Sequence, residues 1–509
     1  MWAPDEPRYA QVSKEMRDSG NFIVPHLNSA PYPDKPPLLF WLINICSIPF
    51  GKITALSARL PSAFAGIGCC LTVFYLGKLL YQNTRIALLA ALILATSSKF
   101  LWMAHRVAFD VLLAFFVTMA IFCFYKGYTK QKEGGGLYFT LFYVFMAFGV
   151  LTKGPVGFIL PFCIVLVYLI LKREAGVLKK TKPWIGGILF AFLVFSWVYL
   201  ASVYGGKEYA YQILFKQNVG RFASSFAHKR PFYYYFINFP LNFLPWSFFV
   251  PGIALYLFSK KRREKVRDIL PFLVWFTVVF VFFSCVSGKR DIYVIPLYPA
   301  AALLTAWFLN EFVMQFRESY FKRIGYLPCY IICGMALVLG ILLPVTVYKY
   351  FPLHTRTTIP FVVILLFGGF TMVRFVRYAR IIPFLFTLIF VIFAVFNIST
   401  MQAIPMLNQY KSAKEICDKA NSVMRPTDKL SMFGFFRDPY LFYTNRNFVE
   451  VIMEFEGLKR YLNLNERVFL FIQEKDFHEI SKFPDMPLFV IAKDTVGHRA
   501  VVFASNRDI

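Results

Sequence analysis

Charged side chains in two short stretches near the start of the chain have types and spacing that suit catalysis. MWAPDEPRY places Asp5 and Glu6 close to Arg8, and YPDKPP places Asp34 next to Lys35. A carboxylate can act as general base on an acceptor hydroxyl, and a lysine can hold a phosphate as a point charge. The two stretches therefore fit acid–base chemistry on a phosphate-bearing substrate. The alternatives are that Asp5 only caps a helix and that Asp34 and Lys35 form a solvated pair.

Two more candidates stand at the ends of apolar segments. Lys153 lies in LTKGP and Asp110 in HRVAFDVLLAF. An ionisable residue at the mouth of a membrane span marks a candidate site, because its burial is costly without a partner. For Lys153 the alternative is a side chain that extends to the interface, and for Asp110 it is a pair with Arg106.

Two basic, aromatic stretches complete the set. RFASSFAHKRPFYYYF carries Arg221 and His228, and SGKRDIYVIP carries Lys289, Arg290 and Tyr293. A lone histidine such as His228 is a metal ligand or an acid–base group less often than it is neither. Several cations and a few carboxylates thus fall in loops, an arrangement that suits a phosphate-bearing lipid and one catalytic base.

Composition identifies the class of protein. Of 509 residues, 58% are hydrophobic and 16% charged, whereas soluble domains are roughly 45–50% apolar and about 25% charged. A mean hydropathy of +0.55 agrees with a polytopic membrane protein. The net charge of +27 would suggest nucleic acid in a soluble protein, but here we assign it to loops that fix membrane topology. The nine cysteines have no metal-binding spacing, so we expect small buried hydrophobes and no disulfide framework.

The apolar runs predict twelve membrane spans. They are residues 56–81, 84–101, 108–127, 138–151, 155–171, 184–204, 240–258, 268–286, 291–315, 325–350, 358–377 and 381–403. Residues 37–50 are apolar but short, which favours an interfacial segment. Lysines and arginines concentrate in alternate connections such as 172–182 and 260–267, which we therefore place in the cytoplasm.

This orientation places the beginning of the chain, the 205–239 loop and the tail on the outer face. Because residues 1–36 lie outward, we expect a further helix upstream of Met1. Residues 5–17 are predicted to form an amphipathic helix on the membrane surface, with Asp5 as N-cap. Residues 404–509 alternate short helical and strand patterns, typical of a small α/β domain. The predicted division is an outer-face segment at 1–55, a transmembrane domain at 56–403 and an α/β domain at 404–509.

Several motifs in order resemble one family. PDEPRYAQVSKEM, VPHLNSAPYPDKPPLLFW, LTKGP, a long loop with a histidine before aromatic residues, and SGKRDIYVIPLYP occur in succession. The chain resembles the polyprenyl-phosphate-dependent glycosyltransferases of the GT-C fold, most closely the aminoarabinose transferases that modify lipid A. It is more distantly similar to the protein O-mannosyltransferases. The resemblance covers most of residues 1–300 and implies a thirteen-helix fold, of which twelve spans are present here.

The resemblance implies roles for individual residues. Asp5 matches the catalytic carboxylate of the first outer loop, with Glu6 beside it, and Arg8 matches the arginine of that motif. Lys35 matches the lysine that contacts the phosphate of the carrier lipid, Lys153 the lysine of the TKG motif, and Tyr293 the tyrosine after the basic loop. We expect these three residues, together with Arg8 and Lys289, to bind the donor phosphate. Asp34 falls where the aminoarabinose enzymes have a carboxylate, usually glutamate, implicated in a metal site. We therefore expect a divalent metal at Asp34, with His228 as a further ligand, although aspartate has a shorter reach. Asp110 and Arg221 are additional site candidates.

The function implied is transfer of a sugar from a polyprenyl (undecaprenyl) phosphate donor to lipid A or another envelope glycolipid. It would take place at the periplasmic face of a bacterial inner membrane, with no nucleic-acid partner. One alternative is protein O-mannosyltransferase-like transfer to serine or threonine of a protein acceptor. An alternative from a different class is a lipid transporter or flippase, which predicts mid-span charges and paired broken helices. The sequence shows few such charges and no inverted repeat.

Overall fold

The structure is a computed structural model that describes residues 1–2, 4–131, 134–213, 229–258, 266–314 and 319–508. It divides into two compact units. We call the first the terminal unit, which comprises Met1–Tyr32, Phe40–Ala58 and Gln402–Ile509. The second is the helical unit, which comprises Pro33–Leu39 and Arg59–Met401. The division differs from the predicted one, because the first and last segments of the chain share one unit.

The first part of the terminal unit is built around a buried helix. Its elements are α1 (Asp5–Ser19), the hairpin strands β1 (His26–Leu27) and β2 (Ala30–Pro31), and α2 (Leu38–Ser47) followed by a 3-10 turn (Ile48–Phe50). Tyr9, Val12 and Met16 are buried, as the predicted apolar stripe requires. The carboxylate of Glu15 accepts the backbone N–H groups of Asn28 and Ser29 at 2.9 and 3.0 Å and so joins α1 to the hairpin.

Two predictions about α1 are wrong. The N-cap residue is Pro4, already in the αR region, so Asp5 is the first helical residue and not the cap. The helix is also not an exposed amphipathic one, since Gln11 and Ser13 are fully buried together with the apolar stripe. The Gln11 side chain donates to the carbonyl of Arg446 at 2.9 Å. A partner so distant in sequence could not be read from the local pattern.

The helical unit consists of apolar helices, because a chain in hydrocarbon must satisfy its backbone hydrogen bonds internally. They are α3 (Ala55–Tyr81), α4 (Thr84–Thr96), α5 (Ser98–Ala104), α6 (Phe109–Thr129), α7 (Gly136–Lys153), α8 (Val156–Leu171), α9 (Val177–Lys180), α10 (Pro183–Tyr211), α11 (Tyr234–Asn242), α12 (Val250–Phe258), α13 (Val266–Cys285), α14 (Tyr298–Met314), α15 (Ser319–Tyr350), α16 (Ile359–Arg377) and α17 (Ile381–Ile398). Short 3-10 segments at Trp246–Phe249, Asp291–Leu297 and Pro352–Thr358 precede α12, α14 and α16, and a π-helical turn at Ser399–Ala403 follows α17.

The predicted spans correspond to these helices. Within the described ranges, nine helices are long and apolar enough to cross a membrane, or up to eleven if each of two bent pairs is one span. The predicted span 155–171 is the shorter apolar helix α8. The span predicted at 84–101 is bent by 69° between α4 and α5. The span predicted at 240–258 is not one straight helix, because Tyr234–Asn242 and Trp246–Leu257 meet at 116°. The predicted polytopic helical class is confirmed.

The tail forms the predicted α/β domain. Its elements are α18 (Ile404–Lys411), α19 (Lys414–Val423), β3 (Lys429–Phe433), α20 (Asp438–Tyr443), β4 (Glu450–Ile452), α21 (Phe455–Leu462), β5 (Val468–Gln473), α22 (Glu474–Ile480), β6 (Phe489–Val496) and β7 (Arg499–Ser505). The sheet order is β4-β3-β5-β7-β6, with β3 parallel to β4 and β5, and β7 antiparallel to β5 and β6. Alternate residues of β5 enter two separate cores, so this strand is covered on both faces and is apolar from Val468 to Ile472.

Candidate functional site

A buried carboxylate stands at the beginning of α6. Asp110 is 5% exposed and lies in the first turn, where the helix dipole favours a negative charge. The turn is fixed by Ser62, whose hydroxyl accepts the backbone N–H of Ala108 at 3.0 Å. The Asp110 carboxylate forms an ion pair with the ammonium of Lys153. The sequence also allows Lys153 to extend to the interface and Asp110 to pair with Arg106. In the structure, Asp110 and Lys153 pair with each other.

The turn LTKGP places Lys153 at the last position of α7. Gly154 ends the helix with φ +76°, a conformation that favours glycine. Beyond it, α8 passes so close to α7 that a Cβ on Gly157 would lie 2.0 Å from the carbonyl carbon of Gly149. The two glycines therefore permit a tight helical hairpin. The tight hairpin holds the lysine at a fixed position, and the C-terminal end of a helix favours a cation.

An aromatic ring completes this group. The Lys153 ammonium lies 4.4 Å from the ring centroid of Tyr293, which is a cation–π distance. Tyr293 belongs to the 3-10 segment before α14, and its backbone N–H donates to the carbonyl of Arg290 at 3.1 Å. We call Asp110, Lys153 and Tyr293 the Lys153 cluster. Three residues that the sequence suggested separately thus form one site in the helical unit.

Lys289 has a different environment. It is 4% exposed, and its ammonium donates to the carbonyls of Arg230 and Val286 at 3.2 and 2.5 Å. Burial lowers its pKa. The backbone N–H of Arg230 in turn donates to the Ser287 carbonyl at 3.3 Å. Two of the three ammonium donors thus tie the 286–289 connection to residue 230, which leaves at most one donor for a phosphate.

A second ion pair flanks the cluster and was not predicted. Lys99 of α5 pairs with Asp291, the first residue of the segment that carries Tyr293. The carbonyl of the preceding residue, Arg290, accepts a hydrogen bond from the Tyr235 hydroxyl at 3.0 Å. The segment that presents Tyr293 is therefore held from two sides. Lys99 and Asp291 are ordinary residues at span ends in the sequence, and only their opposite charges could have suggested the pair.

The DKPP stretch lies in the turn that precedes α2. Asp34 and Lys35 are half-buried there and belong to the helical unit, as the Lys153 cluster does. Proline at the two following positions limits the backbone. The stretch therefore has the restricted backbone and partial burial expected of a site that holds an anion.

The DEPRY stretch lies in the terminal unit. Asp5 is half-buried, whereas Glu6 is 1% exposed and accepts the backbone N–H of Trp2 at 3.0 Å. Arg8 forms an ion pair with Asp438 of α20 at 3.1 Å. Burial lowers the pKa of Arg8, but the electrostatic interactions with Asp438, Tyr32 and Tyr9 and the hydrogen bond to Asp438 together outweigh it and leave this pKa raised. At Asp438, burial raises the pKa more than Arg8 lowers it. Arg8 thus docks α1 on the tail.

The predicted metal site stays a prediction. His228 and Arg221 lie outside the described residues. Among the residues that the structure does describe, no group of three or more His, Cys, Asp or Glu is arranged to hold a metal ion. Asp34 therefore does not fit a metal centre with the described residues, and we derive no step that depends on one.

Comparisons with known proteins agree with the family that the sequence motifs resemble. A family model described as dolichyl-phosphate-mannose-protein mannosyltransferase matches residues 1–206. The undecaprenyl phosphate-alpha-4-amino-4-deoxy-L-arabinose arabinosyl transferase of Edwardsiella ictaluri is 30% identical over 75% of this chain and 70% of its own length. A protein of that name, numbered 2, from Proteus mirabilis is 30% identical over 67% of this chain and 61% of its own length. The chain spans about 60% of the length of several curated relatives that it matches.

Solved structures share the fold. The crystal structure of ArnT from Cupriavidus metallidurans bound to undecaprenyl phosphate matches with a TM-score of 0.82 at 19% identity, and the match covers 100% of this chain and 94% of that one. The archaeal oligosaccharyltransferase AglB from Archaeoglobus fulgidus matches with a TM-score of 0.50 at 13% identity, over 95% of this chain and 67% of that one. At these identities the likeness establishes the fold, and the predicted GT-C architecture is confirmed.

Proposed function

Because the chain belongs to the GT-C-fold polyprenyl-phosphate glycosyltransferase family, which includes the aminoarabinose arabinosyl transferases, we propose that it is a membrane glycosyltransferase. It moves a sugar from a polyprenyl phosphate donor, undecaprenyl phosphate in bacteria, to an acceptor at the periplasmic face of the inner membrane. The concentration of lysine and arginine in alternate connections supports this orientation.

The Lys153 cluster carries the proposal. Cleavage of the sugar–phosphate bond leaves a negatively charged lipid phosphate, so fixed cations aimed at that charge lower the barrier. Lys153 is such a cation, because Asp110 and the Tyr293 ring hold its ammonium in place. Lys35 of the same unit is the second proposed phosphate ligand.

The acceptor side rests on Asp5. We assign it the role of general base on an acceptor hydroxyl, or of orienting an acceptor phosphate that needs little activation. The family resemblance supports this role, and Asp5 is half-buried. Glu6 is less suited to contact an acceptor, since it is almost fully buried.

Lipid A is the acceptor that we propose, on the likeness to the aminoarabinose arabinosyl transferases. A second candidate is transfer of a sugar to serine or threonine of a protein. The observation that favours it is the match of residues 1–206 to the protein mannosyltransferase family model.

Mass spectrometry of lipid A from cells that express the chain tests the proposal. We expect a sugar-sized mass gain that disappears with Asp5→Asn or Lys35→Ala and persists with Asp418→Asn, an exposed tail residue. Unchanged lipid A together with modified glycopeptides would move the acceptor to proteins. If transfer persists in both Asp5→Asn and Lys35→Ala, the assigned site is wrong.

A further inference from the structure

The terminal unit contains a groove that the proposed transfer reaction does not use. It has a volume of about 590 Å³ and is lined by Arg17, Phe22, Trp41, Asn44, Ile45 and Ile48. This volume lies within the roughly 300–1,000 Å³ of small-molecule sites. The groove combines residues of α1, of the loop that follows it, of α2 and of the 3-10 turn after α2.

The lining is apolar and partly open. Ile45 is 59% exposed, Ile48 71% and Phe22 42%. Leu38–Phe50, which supplies four of the six lining residues, is an apolar stretch too short to be a membrane span. The Trp41 ring is fixed because its indole N–H donates to the carbonyl of Phe22 at 2.7 Å. A rigid, open, apolar surface on a membrane protein suits a hydrocarbon chain.

Arg17 supplies a positive charge next to this surface. Its Nη2 donates to the carbonyl of Gly51 at 2.8 Å, and Lys52 is the next residue along the chain. The neighbouring carboxylate of Asp18 is already engaged by Lys14 at 3.0 Å and by the amide of Asn447 at 2.8 Å. The groove therefore has an excess of positive charge, which an anionic group would complement.

Two shielded polar atoms of the lining have no hydrogen-bond partner among the described residues. One is Nη1 of Arg17, a donor, and the other is Oδ1 of Asn44, an acceptor. The orientation of the Asn44 amide is fixed, because its nitrogen donates to the carbonyls of Ser13 and Phe40, both at 3.0 Å. Unsatisfied buried polar groups are rare and call for a partner. An anionic oxygen and a hydroxyl together would supply both.

We propose that this groove binds an acidic glycerophospholipid whose headgroup carries a hydroxyl, as phosphatidylglycerol does. The acyl chain lies along Trp41, Ile45 and Ile48, the phosphate pairs with Arg17, and the headgroup hydroxyl donates to Asn44. None of the residues assigned to transfer lines the groove. Its occupant is a membrane lipid of the bilayer rather than the sugar donor.

Photolabelling in nanodiscs tests the proposal. The full chain is placed in phosphatidylcholine nanodiscs with a trace of phosphatidylglycerol or phosphatidylcholine that carries a diazirine in one acyl chain, and labelled peptides are mapped after illumination. We expect phosphatidylglycerol to label residues 41–50 about tenfold more than phosphatidylcholine, the ratio that corresponds to about 1.4 kcal/mol. Unlabelled phosphatidylglycerol should compete for these residues, whereas phosphatidylcholine and free glycerol phosphate should not.

Variants identify the headgroup contact. Arg17→Gln should reduce phosphatidylglycerol labelling of residues 41–50 to the phosphatidylcholine level, Arg17→Lys should keep most of it, and Arg460→Gln in the tail should leave it unchanged. The competition in the unaltered chain gives a result even if Arg17→Gln fails to fold. Equal labelling by the two lipids in the unaltered chain, or full labelling in a folded Arg17→Gln variant, would overturn the proposal and leave an unselective apolar surface.

Discussion

Among the residues that the structure describes, two ion pairs join a buried aspartate to a basic side chain, one in each compact unit. In the terminal unit Arg8 pairs with Asp438 across 430 residues of sequence, and in the helical unit Lys153 pairs with Asp110 across 43. The first pair links α1 to a tail helix. The second stands where two helices end or begin, next to the ring of Tyr293. A buried charge pair therefore indicates a functional site only when the groups around it can still bind a ligand.

The largest effect is expected from substitution of Lys153. Two variants distinguish the loss of charge balance in the Lys153 cluster from the loss of phosphate binding. Lys153→Ala should lower kcat/KM for sugar transfer by about 10²–10³-fold, the usual effect of removing one transition-state donor. It should also destabilise the chain, because Asp110 keeps an unpaired buried charge. The double variant Asp110→Asn with Lys153→Gln should recover stability but not transfer. The measurements are transfer from a radiolabelled donor and thermal unfolding, with Lys459→Ala as control. Recovery of transfer in the double variant would refute a role for the lysine charge.

The next effect is expected at the Arg8–Asp438 ion pair of the terminal unit. Arg8→Gln and Asp438→Asn should each lower the free energy of unfolding by about 1.5–3 kcal/mol, the range for hydrogen bonds to charged groups. If the pair only docks α1 on the tail, the two variants should lose transfer activity equally. A clearly larger loss in Arg8→Gln would show that Arg8 also contacts the substrate, and the contrast between the two pairs would weaken.

A smaller effect is expected at the pair that flanks the cluster. Lys99→Gln removes the partner of Asp291 and should loosen the segment that presents Tyr293. We expect KM for the donor to rise about fivefold, from a net loss of about 1 kcal/mol, with a smaller change in kcat. Lys99→Arg should restore the KM. If kcat falls while KM stays constant, Lys99 does not act through donor binding.

The smallest effect is expected at an ion pair that has a purely structural role and serves as a reference. Asp428 and Arg467 pair within the tail. Burial raises the pKa of Asp428, but the hydrogen bonds from the Arg425 backbone and the Arg467 side chain and the charges of these two arginines together outweigh it and lower this pKa. The pair therefore stabilises the fold above about pH 4, the ordinary pKa of aspartate, and loses its effect as the pH falls through the native pKa. The unfolding temperatures of the unaltered chain and Arg467→Gln should differ near neutral pH and converge on acidification. A constant difference would contradict this assignment.

The sequence predicts local features well and long-range ones poorly. The membrane helices follow from long apolar runs, because hydrocarbon admits few other structures, and the tail sheet follows from short alternating patterns. Asp110 and Lys153 stand out as costly charges at span ends. That they pair with each other could not be predicted, since both had other plausible environments. The bend at residues 243–245 also escaped prediction, because an apolar run looks the same in a straight or bent helix.

The terminal unit shows the limit most clearly. The pattern of Tyr9, Val12 and Met16 predicts α1, but it does not reveal that α1 is buried against residues near the other end of the chain. The partners of Arg8 and Gln11 are Asp438 and the carbonyl of Arg446. A local pattern indicates which side of a helix is apolar, whereas long-range packing determines what covers the rest.

Binding of undecaprenyl phosphate to the purified chain tests the central claim most directly. We expect the unaltered chain and the Arg467→Gln variant to bind this lipid with equal affinity. The Lys153→Gln variant should bind about 10- to 100-fold more weakly, because it loses one charged contact worth about 1.5–3 kcal/mol. Unchanged affinity in a folded Lys153→Gln variant would contradict the claim that the Lys153 cluster holds the donor phosphate.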